Sequence, residues 1–345
     1  MANNFLNLFE TKAEQDKNYI TEEGHNDFPW VSLCKENNKF YYTSYMEFKD
    51  KGEVGDFYYD NGKFSTDVDI NIATPIGIVV IPENFIPSSP KCRIMSLVNM
   101  DCTNPENGSG QQVGICFGNY GVHIEELPYY TQGPIGSGST KVVGLHECAI
   151  LPSDSYTTAQ YSGDPTTYYD YATYWWGAAV SPYLVDENGN ETFNTEYIRT
   201  ESPSSSLNKL SDLNGYYNTT ILTQDKYTSG QTDWKTASQI YSDYGAGFSP
   251  AACVCKRFKA GNLDWYLPSA GELGFIIPRM NKLNKQLSKL KRQTINYAMI
   301  NMEYAVQSST IDNDNENVRC QTSDGNLYRI PRQRYDHVVR AFAII

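Results

Sequence analysis

The nine residues Trp265–Leu273, which read W-Y-L-P-S-A-G-E-L, combine the end of a strand with the start of a helix. Three apolar residues precede Pro268, and a proline biases the residue before it towards an extended conformation. Ser269 then offers a hydroxyl group as a helix N-cap, and Glu272 follows at the spacing of a capping box. The stretch therefore predicts a buried strand that stops at the proline and a helix that begins at the serine.

The flanking sequence contains further short words in a fixed order. Upstream of the stretch they are Thr74–Val80, Gly144-Leu145-His146, Leu213-Asn214-Gly215 with Asn218-Thr219, Ala251-Ala252-Cys253, Gly261 and Asp264; downstream they are Ser308-Ser309-Thr310 and Val339-Arg340-Ala341-Phe342. Together these words resemble those of C-type-lectin-like domains found in Bacteroidetes surface proteins and in bacteriophage virion proteins. The resemblance covers about residues 55–345 and is densest in the last hundred.

The resemblance implies an α+β protein with a C-type-lectin-like fold. Such a fold has a mixed antiparallel sheet, two to three helices and long irregular loops. We expect residues 1–50 to form an attachment segment with a β-hairpin, and residues 51–345 to form one elaborated domain. A loop-rich insertion is expected at about 121–230, where glycine, proline, serine and threonine are frequent.

Hydrophobic patterns predict several strands. Ile76 to Ile81 is a nearly continuous apolar run, so we expect a central strand that is buried on both faces. Asp60-Asn61-Gly62 separates two aromatic runs and predicts a tight hairpin. Val338–Ile345 is expected to be a final strand that pairs beside the opening strand. Further strands are expected at 28–34 and 39–45, which form a hairpin around Asn37-Asn38, and at 93–100, 114–117, 296–302, 304–309, 318–322 and 327–330.

Three helices are predicted in the second half of the chain. The first starts at Thr232 and ends near Gly245, and the second starts at Ser249-Pro250 and ends before Gly261. The third starts at Ser269, and its apolar spacing resumes after Pro278 as far as Leu290. Its polar side, which we call the basic face and interpret as solvated, consists of Lys282, Lys285, Lys289, Lys291 and Arg292.

The composition indicates a sizeable core and an acidic surface. Hydrophobic residues make up 40% of the chain, and the 27 tyrosines suit both packed sheets and recognition surfaces. The net charge of −12 disfavours binding of nucleic acid or of an anionic membrane. The N-terminus has neither a cationic start nor an apolar run, so we see no secretory signal and no membrane span. Cytoplasmic synthesis then favours free, mostly buried thiols for the eight cysteines.

Patterns for catalysis or metal binding are weak. His146-Glu147-Cys148 combines a base, an acid and a thiol, but adjacent residues of a strand face opposite sides. Residues 312–316 copy the first half of a calcium loop, but Asn317 and Ser323 stand where that loop needs a glycine and a glutamate. The chain also lacks the E-P-N, Q-P-D and W-N-D triplets of calcium-dependent lectins. We therefore predict no enzyme, no metal and no cofactor.

The resemblance places ligand binding on the face formed by the S-S-T segment and the last hairpins. Tyrosine and asparagine are frequent there, and they suit recognition because one is rigid and amphipathic and the other both donates and accepts hydrogen bonds. The candidate residues are Tyr297, Asn301, Tyr304, Gln307, Asp312, Asn313, Asn315, Asn326, Tyr328, Arg334, Tyr335 and Asp336. Runs rich in Asp and Asn are also typical of turns.

These observations predict a bacteriophage virion surface protein, either a head fibre or a tail-associated adhesin, made in the host cytoplasm and released by lysis. It would bind host surface glycan or protein without covalent chemistry, attach to other virion proteins through residues 1–50, and form a homotrimer or homodimer. One alternative is a purely structural decoration protein of capsid or tail without a host ligand. A carbohydrate-active enzyme and an exported bacterial adhesin are weaker alternatives.

Overall fold

A computed structural model describes most of the chain outside two long internal gaps. The described residues are 9–11, 19–20, 31–36, 39–44, 46–127, 182–185, 188, 190–193, 212–224, 248–276, 279–293, 295–300, 306–311, 316–321, 327–334 and 336–345. Over these residues the protein is α+β, with mainly antiparallel sheets and four α-helices. No helix in them has the length and apolar character needed to cross a membrane.

The elements are numbered along the chain. The strands are β1 (Phe9–Thr11), β2 (Tyr19–Ile20), β3 (Val31–Glu36), β4 (Lys39–Ser44), β5 (Phe57–Tyr59), β6 (Phe64–Ser65), β7 (Pro75–Ile81), β8 (Arg93–Ser96), β9 (Tyr183–Val185), β10 (Glu191–Phe193), β11 (Trp265–Tyr266), β12 (Val306–Ile311), β13 (Asn317–Gln321), β14 (Leu327–Pro331) and β15 (Phe342–Ile344). The helices are α1 (Gly215–Leu222), α2 (Pro250–Arg257), α3 (Ala270–Leu273) and α4 (Met280–Leu287), and α4 continues as a 3-10 helix over Ser288–Gln293.

A six-stranded antiparallel sheet in the order β11-β15-β8-β7-β5-β6 organises the fold. All seven residues of β7 are buried, and β7 lies inside the sheet between β8 and β5. This confirms the central strand predicted from the apolar run. The predicted hairpin at Gly62 is also confirmed, because β5 pairs with β6 and the glycine has a φ of 78°. That positive φ suits glycine, which has no side chain to clash.

The C-terminal strand closes the sheet, but not where the sequence predicted. Trp265 pairs with Ala343 and Tyr266 with Phe342, so β11 and the final strand belong to one sheet. However, β15 pairs with β8 and not with β7, so the predicted pairing beside the opening strand is wrong. The reason is that β5 and β8 already occupy both edges of β7.

Both faces of this sheet are covered by apolar side chains. In β11, Trp265 belongs to one core cluster and Tyr266 to the other, since adjacent residues of a strand face opposite sides. Helix α2 contributes Ala251, Val254 and neighbouring residues to the first cluster. Leu283 and the other buried leucines of α4 and its 3-10 extension belong to the second. Burial on both faces explains why β7 reads as a nearly continuous apolar run.

Six cysteines lie in these cores as buried thiols and form no disulfide; they are Cys92, Cys102, Cys116, Cys253, Cys255 and Cys320. Burial disfavours the charged thiolate, and it raises the pKa of Cys92, Cys116 and Cys253 to about 12. Burial raises the pKa of Cys102 and Cys255 as well. The prediction of buried, unbridged thiols is therefore confirmed for these six.

Two smaller sheets lie outside the central one. The N-terminal sheet has the order β1-β4-β3-β2, and the antiparallel β3–β4 pair confirms the predicted hairpin. The β9–β10 hairpin, which lies in the predicted insertion, is held by Arg279. The guanidinium group of Arg279 donates to Val80 O at 2.6 Å and to Glu191 Oε2 at 2.6 Å, and it lies 4.4 Å from the ring centre of Tyr183. One buried cation thus connects the hairpin with β7.

The helix predictions agree with the structure where it describes them. Helix α2 starts with Pro250 and ends before Gly261, and α3 starts after Ser269 with its capping box formed. Both helices are therefore confirmed, while the helix predicted from Thr232 lies outside the described residues.

Two predicted strands are wrong, because residues 114–117 and 296–300 have no regular structure. Their backbones form single hydrogen bonds with distant residues, such as Ile115 N to His337 O and Ala298 N to Leu97 O, instead of a continuous ladder. Residues 301 and 302 of the second predicted strand lie outside the described part.

Candidate ligand-binding face

A buried polar network connects several of the short words that carry the family resemblance. Asp212 Oδ2 accepts hydrogen bonds from Asn218 Nδ2 at 3.0 Å and from Thr310 Oγ1 at 2.6 Å. Ser269 Oγ donates to the backbone oxygen of Asp212 at 2.6 Å. Residues that are distant in sequence therefore meet in one place, each with its hydrogen-bonding side chain buried. Hydrogen bonding of this kind is what makes burial of polar groups tolerable.

An ion pair forms the charged part of this network. Glu272 Oε1 accepts from Arg93 Nε at 2.7 Å and from Tyr266 Oη at 2.9 Å, while Oε2 accepts from the Ser269 backbone N–H at 2.9 Å. The Arg93 and Glu272 side chains are 3% and 1% exposed, so water screens their attraction very little. Glu272 thereby caps α3 and connects it with β8 and β11.

The network fixes strand β12. The Ser309 backbone N–H donates to Pro268 O at 2.8 Å, and Thr310 Oγ1 accepts from the Ala270 backbone N–H at 2.8 Å. Asn218 Nδ2 donates to Ser309 Oγ at 3.1 Å. All six residues of β12 are buried, although four of them are polar. Strand β12 is thus part of the rigid interior, and its own side chains are taken up by support.

Strands β13 and β14 extend outwards from this fixed strand as an antiparallel sheet in the order β12-β13-β14. Ile311 pairs with Val318, and Gln321 pairs with Leu327, so the two predicted hairpins are confirmed. The connections between these strands contain the Asp and Asn residues that the sequence marked for binding. They therefore emerge from a sheet whose first strand is held by the buried network.

Burial changes the protonation of two groups in the network. Removal of the Asp212 carboxylate from water raises its pKa to about 6, although the hydrogen bond from Thr310 opposes this shift. Burial, together with the negative charge of Glu272, raises the pKa of Tyr266, which therefore stays a hydrogen-bond donor at neutral pH. These titratable groups face structural partners inside the protein.

The structure brings together two of the predicted binding residues. Arg334 and Asp336 are exposed and form an ion pair, with Nε donating to Oδ1 at 3.1 Å and Nη2 donating to Oδ2. The hydrogen bond from Arg334 lowers the pKa of the Asp336 carboxyl. The pair presents a fixed combination of donors and acceptors near the end of β14.

The other predicted residues are distributed differently. Gln307 is 1% exposed and donates to Ile115 O, so its side chain does not reach the surface. Tyr297 is half-buried against the second core cluster, and Tyr328 lies in β14 opposite Cys320. Asn301, Tyr304, Asp312, Asn313, Asn315, Asn326 and Tyr335 lie outside the described residues.

Two exposed tyrosines were missed by the sequence prediction. Tyr216 and Tyr217 on α1 are 39% and 51% exposed, whereas Asn218 and Thr219 on the same helix are buried. The signal was present, because the two tyrosines fill the variable positions between Gly215 and Asn218. They are candidates for contact with a ligand, since tyrosine combines a large apolar ring with a polar tip.

No group of three or more His, Cys, Asp or Glu side chains with a geometry suited to a metal ion occurs in the described ranges. Most of the half calcium loop at 312–316 lies in a gap between those ranges.

Comparisons with known proteins give a single distant likeness. No protein-family model matches the chain, and no curated protein matches it. A solved structure of a fimbrial protein from Bacteroides ovatus is similar over 91% of this chain, with 17% sequence identity and a TM-score of 0.41. The chain spans 57% of the length of that protein.

Proposed function

We propose that this chain is a bacteriophage virion surface protein, a head fibre or tail-associated adhesin, with a C-type-lectin-like domain that binds host surface glycan or protein reversibly. The observation that supports the proposal best is the convergence of the family words. The Trp265 strand and the Phe342 strand are neighbours in one sheet, and the words around Asn218, Ser269 and Thr310 share one buried network. Such agreement between sequence words and one compact core is what a lectin-like domain requires.

Non-covalent binding suits the chemistry of this region better than catalysis does. The carboxylates of Asp212 and Glu272 are buried and saturated by structural donors. What remains at the surface around β14 is the Arg334–Asp336 pair and the connections rich in Asn and Tyr. Adaptable polar groups on a rigid scaffold are typical of recognition surfaces.

Many copies on one particle would convert weak single contacts into strong attachment. We propose that the N-terminal segment, with its four-stranded sheet, attaches the chain to other virion proteins. A homotrimer or homodimer would then place several binding faces on the same side. Linked sites of this kind gain affinity from their high local concentration without any new contact.

The test is binding of the full chain to surface glycans and intact cells of the bacterial host. The informative variant removes the exposed ion pair Arg334→Ala/Asp336→Ala, and the matched control removes the exposed pair Glu106→Ala/Lys259→Ala. We expect the first variant to lose binding and the control to retain it. No binding to any glycan or cell would favour the decoration protein instead, and release of reducing sugar ends would favour an enzyme.

A further inference from the structure

The basic face stands out because its charge is segregated from the rest of the chain. Residues 273–302 contain six Lys and Arg residues and no Asp or Glu, although the chain as a whole has 40 acidic and 28 basic residues. One of the six, Arg279, is buried with Glu191 as its partner. The other five are Lys282, Lys285, Lys289, Lys291 and Arg292 of α4 and the 3-10 helix that follows.

Packing explains the position of these cations. Leu283, Leu287 and Leu290 point into the second core cluster and are fully buried, which leaves the opposite side of the helix to solvent. From Lys282 to Arg292 this side extends for roughly 17 Å, given the rise per residue of an α-helix and a 3-10 helix. The prediction of a solvent-facing basic side is therefore confirmed.

Solvation alone does not explain the pattern of charge. A solvated helix typically carries acids and bases at i, i+4 spacing, where they attract each other. Here Lys285 and Lys289 are at that spacing and repel each other. Lys289 donates to Thr66 O at 2.6 Å and lies 3.8 Å from Asp67, but in the described part of the chain the other four cations have no acidic partner within ion-pair distance. A protein with a charge of −12 has kept its local acids away from this surface.

We propose that the basic face binds a polysaccharide that carries carboxylate groups along its chain. Clusters of Lys and Arg attract polyanions, and a row of separate flexible lysines suits a flexible chain with spaced charges. The proposal concerns a different surface from the Arg334–Asp336 pair and does not depend on it.

Other occupants fit this surface less well. A stable protein interface has an apolar centre in which lysine is depleted. Beside the basic face the exposed large apolar residues are Ile70 and Ile72, in a loop that hydrogen-bonds to Gln293. Duplex DNA carries dense charge that the acidic remainder of the protein would repel. A polysaccharide with spaced carboxylates has neither requirement.

The experiment measures binding of the full chain to immobilised polygalacturonate at increasing NaCl concentrations. We expect binding that weakens with salt, with a slope of log affinity against log salt no steeper than about −3 for four cations. Lys282→Gln/Lys285→Gln should weaken binding at least tenfold. The control Lys91→Gln/Lys259→Gln removes the same amount of charge from other exposed sites and should change it less than twofold.

Several results would overturn the proposal. These are absence of binding by the unmodified chain, equal loss in both double variants, and binding to neutral dextran as strong as to polygalacturonate. Equally strong binding to duplex DNA or polyglutamate through the basic face would exclude a specific role for polysaccharide. Thermal unfolding of each variant separates these results from loss of folding, since loss of repulsion between lysines should leave the melting temperature unchanged or higher.

Discussion

The buried pair between Arg93 and Glu272 makes a strong prediction about stability. In Glu272→Ala the guanidinium group, which is nearly inaccessible to water, loses its only carboxylate partner among the described residues, and Tyr266 and the Ser269 N–H lose an acceptor. Breaking a buried pair from one side costs about 3–5 kcal/mol, because an uncompensated charge remains. That is a large part of the roughly 5–15 kcal/mol by which domains are stable.

The assay is urea unfolding at pH 7, followed by circular dichroism. Glu272→Gln keeps the shape of the side chain and one acceptor, so we expect it to fold with a loss of about 2–3 kcal/mol. Glu106→Gln breaks the exposed pair with Lys259 and should leave the free energy of unfolding unchanged within error. The double variant Arg93→Met/Glu272→Met should lose less than the sum of the two single changes, because neither charge is left alone.

The reasoning would fail at two points that the assay can detect. A loss below about 1 kcal/mol in Glu272→Gln would mean that the carboxylate is not held by buried donors. Strictly additive effects in the Arg93 and Glu272 variants would mean that the two side chains do not interact. Either result would also remove the main support of α3 and, with it, the account of how β12 is held.

Two further predictions follow from buried groups. Burial gives Asp212 a pKa of about 6 in the folded protein against 3.8 for an ordinary aspartate, so the folded state binds the proton more tightly than the unfolded state. Stability from this group is therefore full below pH 4 and falls by about 3 kcal/mol as pH rises through 6; pH-dependent urea unfolding should show this fall, and Asp212→Asn should abolish it. Gly118 has a φ of 83°, and an added Cβ would lie 1.9 Å from Phe248 O, whereas Gly121, with a φ of 74°, faces open space. Gly118→Ala should therefore lower the melting temperature far more than Gly121→Ala, which costs about 1–2 kcal/mol for backbone strain alone; similar losses in both would contradict the close approach.

Local signals predicted much of the fold. The capping residues Ser269 and Glu272, the apolar run of β7 and the glycine at position 62 each determine structure through nearby atoms, and all three predictions are confirmed. The neighbour of β15 was not predictable in this way. Its pairing with β8 depends on which sheet edges remain open after β5 and β7 have paired, and no local pattern contains that information.

The candidate face was harder to predict because of strand β12. Its sequence contains Gln307-Ser308-Ser309-Thr310, a polar run that favours an exposed strand. The run is buried because Asp212, Asn218 and the start of α3 provide partners from distant parts of the chain. Hydropathy therefore suggested a surface role for Gln307, whereas its partner Ile115 O lies in the interior.

The buried thiols give this protein a means of reporting on its own opening. A reagent that modifies cysteine reacts with the thiolate, and burial keeps the sulfur atoms in the two cores both protonated and out of reach. Passage from a reducing to an oxidising medium leaves these residues chemically unchanged as long as the cores stay closed. Each of the six sulfur atoms that becomes modified in storage then records one excursion of the core into water, so mass spectrometry of an aged sample reads its unfolding history.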